Sequence, residues 1–495
     1  MDTESVRPAV TELRLSAFKS HRGATVPLGP LTLLTGPSGS GKSSVLQAYE
    51  ILARLGSGAR LGWAVGVAPG GAAGCVPAWA RPDEQGRRGF RIGCTVDGPV
   101  GPVRLDVAVQ AEPELRIVGE RLTGGGETLL STALTDPARR AVQAAWYTAG
   151  STPVTRAPLP DDRLGTALLP LRVAGKTAGQ RLVLAAAEQM VVALRSVFAC
   201  DPRPEVMRGA GPGGGSVGGG GAGAGGGAEA GGSGSGGGSG GGAGNGGGGG
   251  SGGGGRGGGS RVAGGRGGGR TGGGGAGGSG GAGVAGGGAG AGVRVEGALS
   301  GGFAVAAGGD GMADDGGASQ GSWGWSAGDG RLRTACDNLP AVLGRTSREC
   351  ARRHAVLVEA VRDGCAGPVE GLRAEPVELA GKVGIRALVE RGALPAMPLE
   401  QLGDGELRYV ALALVLLTGP EVLAMDPVGE VLSARQVLGL MADGMDRSLD
   451  DRQTRALLEL AVRMVGRGHV RLLATVRDAA VADGLPGVQV LHLGV

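Results

Sequence analysis

Residues 10–18, VTELRLSAF, alternate apolar and polar positions with the period of a half-buried strand. Residues 19–23 make a turn, 24–28 a second short strand, and Gly29-Pro30 leads into the apolar run 31–35. A helix is expected over 43–55. Residues 56–82 are small, rich in Gly, Ala and Pro, and carry no clear period. Alternation returns in FRIGCTV, VRLDVAVQ and LRIVGERL, between residues 89 and 122. Residues 136–147 and 177–199 read as helices. From about 209 to 330 all periodicity is lost. It resumes with a helix opening in DNLPAVL at 337–343, Arg-rich helices through 347–362, and a strand pair in VEGLRAEPVEL and GIRALVERG. A glycine turn then feeds an apolar helix within 399–417, and 422–426 reads as a strand. Asp450 suits the N-cap of a helix over 451–465. Strands at 470–475 and in VQVLHLG, an edge strand, close the pattern.

Composition explains the central gap. The 495 residues include 109 glycines, concentrated in 209–330 with Ala, Ser and a few Arg. Such a tract has too little apolar mass to offset the entropy of ordering, so it is expected to be disordered. As a coil of roughly 120 residues it would span about 60 Å. Arg256, Arg261, Arg266 and Arg270 within it form a weak RGG-like pattern that offers little support for nucleic-acid binding. Net charge is +4, which sets up no strong field for nucleic acid. Six scattered cysteines form no CxxC pair, and the start MDTESVRPAV is not a signal peptide. The most apolar helix is interrupted by Glu188, Gln189 and Arg195, so no membrane span is expected. A cytoplasmic protein with reduced thiols follows from these features.

One stretch carries explicit chemistry. Gly36, Pro37, Ser38, Gly39, Ser40, Gly41, Lys42 and Ser43 fit G-x-x-x-x-G-K-[ST] between an apolar strand and a helix. Glycines let successive backbone N–H groups turn around a phosphate, and the helix presents its positive end to the same anion. Lys42 would reach the β- and γ-phosphates, and the Ser43 hydroxyl would ligate Mg²⁺. Ser44 completes the set assigned to ATP. Lysine is scarce: of 49 Lys and Arg residues only Lys19, Lys42, Lys176 and Lys382 are lysine, and one stands where the motif needs it. No His/Cys cluster has metal-ligand spacing.

The hairpin running into this loop, AFKSHRGATVPLGPLTLLTGPSGSGKSS, resembles the opening of AAA-type ATPases of the ABC/SMC/RecF group of P-loop NTPases. Ser38 stands where that group usually has Asn. The turn Leu402-Gly403-Asp404-Gly405-Glu406 resembles the group's signature, LSGGQ or LSDGT, with Gly403 replacing the serine. The resemblance implies that Gly403, Asp404 and Gly405 face the γ-phosphate bound by a second subunit, so that ATP closes a homodimer. Val422 to Asp426, VLAMD, resembles the Walker B strand, whose acid would hold Mg²⁺ with Ser43. Pro427 follows where the group has a catalytic Glu, and Glu430 is the nearest carboxylate. The group's switch histidine is missing from Ala474-Thr475-Val476-Arg477-Asp478. Its glutamine loop has two open candidates, Gln85 and Gln110.

The expected fold is therefore α/β: a P-loop NTPase of ABC/SMC-head type with an antiparallel β subdomain and a disordered Gly-rich insertion. Residues 1–208 and 331–495 would be two halves of one ATPase domain, joined by 209–330. The expected function is ATP binding with slow, Mg²⁺-dependent hydrolysis through ATP-dependent homodimerisation. The alternatives are a nucleotide-binding scaffold that has lost turnover and a DNA-repair or defence ATPase. No basic stripe supports the latter.

Overall fold

A computed structural model describes residues 7–149, 154–209, 330–379, 382–425 and 436–494. The glycine-rich tract expected to be disordered lies, but for its end residues, outside them, as do Asp426, Pro427 and Glu430.

The chain opens with β1 (Ala9–Phe18), β2 (His21–Pro27), β3 (Leu31–Thr35) and α1 (Lys42–Gly56). The short helices α2 (Leu61–Val65) and α3 (Gly71–Cys75) precede six strands: β4 (Arg88–Asp97), β5 (Val103–Glu112), β6 (Arg116–Gly124), β7 (Glu127–Ala133), β8 (Ala141–Tyr147) and β9 (Val154–Pro160). Then come α4 (Gly165–Leu168), α5 (Ala178–Arg195), β10 (Val197–Cys200) and α6 (Pro204–Met207). Beyond the glycine-rich tract lie α7 (Leu339–Glu349), α8 (Ala351–Gly364), β11 (Gly371–Leu379), β12 (Lys382–Arg391), β13 (Leu394–Pro398) and α9 (Asp404–Leu417). The chain ends with β14 (Leu438–Ala442), α10 (Asp451–Val465), β15 (Val470–Thr475) and β16 (Val488–His492).

These strands form three sheets. An eight-stranded antiparallel sheet runs β2-β1-β4-β5-β6-β7-β8-β9, and a small one β11-β12-β13. The third, β10-β14-β15-β3-β16, is parallel throughout. Strands β3 and β10 precede the glycine-rich tract and the other three follow it, so both sides of the chain build one sheet. Alternation along these strands separates two cores. Leu34, Met441 and Leu473 point to the side holding α1, α5 and the antiparallel sheet. Leu31, Leu33, Leu440 and Leu472 point to the side holding α7 to α10. All five residues of β3 are buried. Fully burying each leucine contributes about 1.5–3 kcal/mol, so this strand is anchored from both faces.

Two expectations are corrected. Residues 136–147 are not a helix: β8 occupies their second half and buries Val142, Ala144 and Trp146 on one face. The alanines favour helix locally, but a period of two and pairing with β7 and β9 decide the outcome. Residues 422–425 are not a strand of the parallel sheet. Pro420–Val422 is a 3₁₀ turn, and Leu423 makes only an isolated bridge to Leu332. The sheet position belongs to β14. Half-buried His354 ties α8 to the Leu372 carbonyl at 2.8 Å.

Candidate nucleotide site

The loop after β3 follows from its glycines. Gly36, Gly39 and Gly41 have φ of +138°, +84° and +93°, conformations that an L side chain rarely adopts. A Cβ on Gly36 would also collide with the Leu493 carbonyl, and one on Gly41 with the His21 ring. Pro37, Ser38 and Gly39 are exposed, so the loop is open to a ligand. Helix α1 begins at Lys42 with Gly41 as its N-cap, and neither a capping side chain nor an acid sits in its first turn. Its free N–H groups therefore face the loop. Lys42 Nζ donates to the Gly36 carbonyl at 2.6 Å and to Pro37 at 3.0 Å, folded back across the loop. Ser40 Oγ is buried without a hydrogen-bond partner. Ser43 is exposed and Ser44 half-buried beside it.

The parallel register brings a second set of groups to the same sheet edge. Strand β15 lies beside β3, with Thr475 opposite Leu34, and Ala442 of β14 lies opposite Ala474. The residue after β14 is Asp443. Thr475 Oγ1 donates to Asp443 Oδ1 at 2.6 Å and accepts from the Gly444 N–H at 2.6 Å. Thr35, at the end of β3, reaches the Arg477 carbonyl at 3.4 Å. The Arg477 N–H donates to Asp446 Oδ2 at 2.7 Å, while the buried Asp446 Oδ1 has no partner. Asp443, Thr475 and Asp446 were not singled out from the sequence. The signal was available: LGLMAD is an aliphatic run ending in an acid, like VLAMD, but it lies nearer the Asp450-capped helix.

Helix α9 carries the signature-like turn. Gly403 is its N-cap, and Glu406 accepts from the Gly403 N–H at 3.1 Å. Arg208 fastens the turn, donating to Asp404 Oδ1 at 2.5 Å and to the carbonyls of Leu402 and Glu400 at 2.7 and 3.0 Å. Gly405 admits no side chain because the Ser448 carbonyl presses against it. Buried Arg408 donates to the Gly444 carbonyl at 2.9 Å and to Pro202, so α9 is tied to the loop bearing Asp443. Neither glutamine candidate bonds to the phosphate loop among the described residues. Gln110 donates to the Glu114 carbonyl at 3.0 Å, and Gln85 sits in an exposed turn.

The residues present fit a magnesium–nucleoside triphosphate. The loop offers N–H groups, an ammonium and an orphan hydroxyl for phosphate. Among the described residues no three His, Cys, Asp or Glu side chains cluster as a metal cage. Mg²⁺ needs no such cage, being held by one or two protein oxygens together with phosphate.

The comparisons with known proteins meet this geometry at the loop. An AAA domain family model matches residues 12–51, which cover the first hairpin, the phosphate loop and most of α1. The chain, over its described residues, is a mixed α/β fold with one parallel and two antiparallel sheets. It is similar to an SMC head bound to the C-winged helix domain of ScpA, with 9% identity, TM-score 0.41, and coverage of 96% of this chain and 91% of that one. An SMC head from Thermotoga maritima matches with 10% identity, TM-score 0.35, and coverage of 97% and 94%. An SMC head from Pyrococcus furiosus bound to a ScpA domain matches with 8% identity, TM-score 0.36, and coverage of 96% and 91%. No curated protein matches the chain. No described helix is long and apolar enough to cross a membrane.

Proposed function

We propose that the protein binds ATP with Mg²⁺ at the loop Gly36–Ser43 and hydrolyses it slowly when two copies meet. The observation that carries this reading is the alignment of a complete phosphate loop with Asp443 and Thr475 along one sheet edge. Lys42 leaves the carbonyls it now caps and takes the β- and γ-phosphates, while loop and α1 N–H groups hold the rest. Ser43 and Asp443 hold Mg²⁺, with Thr475 fixing the carboxylate orientation; Asp443 takes the role assigned from sequence to Asp426. When bound, Mg²⁺ would supply neutralisation of the phosphate charge. Gly403, Asp404 and Gly405 at the start of α9 would face the γ-phosphate of a second copy, an acceptor surface held in shape by Arg208.

Turnover is slow on this reading because the residue after Asp443 is Gly444, which has no carboxylate to orient water. General-base assistance is worth about 10²–10⁴-fold. Glu430 is the proposed replacement. The test is steady-state hydrolysis against protein concentration. A rate per chain that rises with concentration and collapses in Glu430→Gln, with ATP affinity unchanged, supports dimer-dependent turnover. A rate per chain independent of concentration rejects the dimer. The absent side chain at Gly444 also favours a second reading, a nucleotide-binding scaffold without turnover, for which ATP binds and is recovered intact.

A further inference from the structure

Cys200 is the last residue of β10, before the glycine-rich tract, and Cys336 lies just beyond that tract, ahead of α7. Their Sγ atoms are 3.9 Å apart, and both side chains are buried. Backbone bonds hold the two flanks of the tract side by side. The Asp201 N–H donates to the Thr334 carbonyl at 2.9 Å, and the Arg203 N–H to the Ala335 carbonyl at 3.3 Å. Cys336 has φ of +57°, a left-handed conformation that few residues other than glycine adopt. Backbone strain is thus held at the residue whose sulfur meets Cys200. Among the described residues no other two cysteines touch, and Cys94 instead meets the Met190 sulfur at 3.5 Å. The buried Arg408 guanidinium acts on the same place. Its pKa is lowered by burial first and by Arg447 next, with Asp201, Cys200 and Cys336 opposing. Its Nε has no hydrogen-bond partner. The Cys336 thiol is pushed up by its hydrogen bond to Cys200 and then by burial, with Arg408 opposing, so it rests protonated.

Two thiols packed sulfur to sulfur are one bond away from a disulfide, and nothing in the nucleotide site employs them. We propose that Cys200 and Cys336 are an oxidation site, which hydrogen peroxide converts to a disulfide that clasps the two ends of the glycine-rich tract together. One thiol releases its proton, and its sulfur attacks a peroxide oxygen. The O–O bond breaks, the departing hydroxide takes up the proton as water, and a sulfenic acid remains. The second sulfur then attacks the first. The S–O bond breaks, and the second thiol's proton leaves with that hydroxide as another water. Two electrons pass from the sulfur pair to the peroxide. The thiolate is the attacking form, and the Arg408 cation favours it. Residues 333–338 belong to no helix or strand, so a local opening there admits peroxide without unfolding the sheet. The bond closes residues 200–336 into a loop, which restricts the unfolded chain more than the folded one. The clasp does not depend on the nucleotide reading.

Peptide mapping of the wild-type full chain tests the clasp and needs no variant to fold. The native chain is treated with hydrogen peroxide, free thiols are blocked with N-ethylmaleimide after unfolding, and the digest is read by mass spectrometry. The expected product is one linked pair of peptides, Cys200 with Cys336, released by dithiothreitol, with the other four cysteines unlinked. The thermal midpoint of the oxidised chain should lie roughly 5–10 °C above that of the reduced chain. Cys336→Ser, treated in the same way, should show neither the link nor the gain. Recovery of Cys200 and Cys336 as alkylated thiols overturns the site. Sulfinic acid at either cysteine in place of a link also overturns it. Links scattered among the six cysteines do so too, because the whole fold would then have opened. A Cys200–Cys336 link without the rise in midpoint overturns the clasp, because the bond would then strain the folded flanks as much as it restricts the unfolded chain.

Discussion

The phosphate loop and the acid-bearing strand ends share one edge of one sheet but are built differently. The loop is a local object. Eight consecutive residues supply its glycines, its lysine and its hydroxyl, and the strand before it and helix after it are contiguous. The acid side is assembled from distant parts: Asp443 after β14, Thr475 at the end of β15, and Arg408 on α9. Binding chemistry written in one stretch survives as a motif. Chemistry distributed over strand ends is defined by register, and a residue can take its role without a recognisable neighbour.

The largest test of this contrast is Lys42→Ala. It removes the ammonium from the loop, and ATP affinity should fall on the order of a hundredfold, as expected for lost charged hydrogen bonds. Calorimetry showing no change would dismiss the loop as a nucleotide site. The second test compares two acids. Asp443→Asn should abolish the gain in ATP affinity on adding Mg²⁺, while Asp426→Asn leaves it intact. The opposite result would return the metal to Asp426. Third, Arg408→Met leaves the Gly444 and Pro202 carbonyls without their donor, and should cost roughly 2–4 kcal/mol in denaturant unfolding. A cost near zero would mean that α9 does not brace the acid loop. The smallest effect is expected from replacing residues 210–329 with a short Gly/Ser linker. Loop closure depends weakly on length, so stability should change by no more than about 2 kcal/mol and ATP binding should persist. A large loss would show that this tract contributes contacts to the sheet.

Much of the architecture was legible in the sequence because its signals are local. The alternation of β1, β4, β5 and β6 follows from one face being buried, and the loop announces α1. Asp450 was legible as an N-cap, and it accepts from the Gln453 N–H at 2.6 Å. What failed depended on neighbours. Residues 141–147 contain three alanines and look helical until β7 and β9 flank them. Strand β14 has five residues and is buried by parallel partners on both sides. Its own pattern, LGLMA, differs little from VLAM, which lies closer to the apolar helix and so drew the Walker B assignment. The candidate site divides likewise: the glycine loop 36–43 is a contiguous motif in the sequence, whereas the pairing of Asp443 with Thr475 required the register of β14 on β15.

The order of strands in the parallel sheet also sets a schedule for synthesis. Strands β3 and β10 leave the ribosome early, but β14 and β15, which lie between them, come only after residue 437. At about 5–20 residues per second, the interval between the end of β10 and the start of β14 is roughly 10–50 s. During that time β3 and β10 have edges with no neighbour, the kind of surface that pairs with other chains. The long connection, thermodynamically cheap once the domain is complete, therefore prolongs the period in which a nascent chain is most exposed to aggregation.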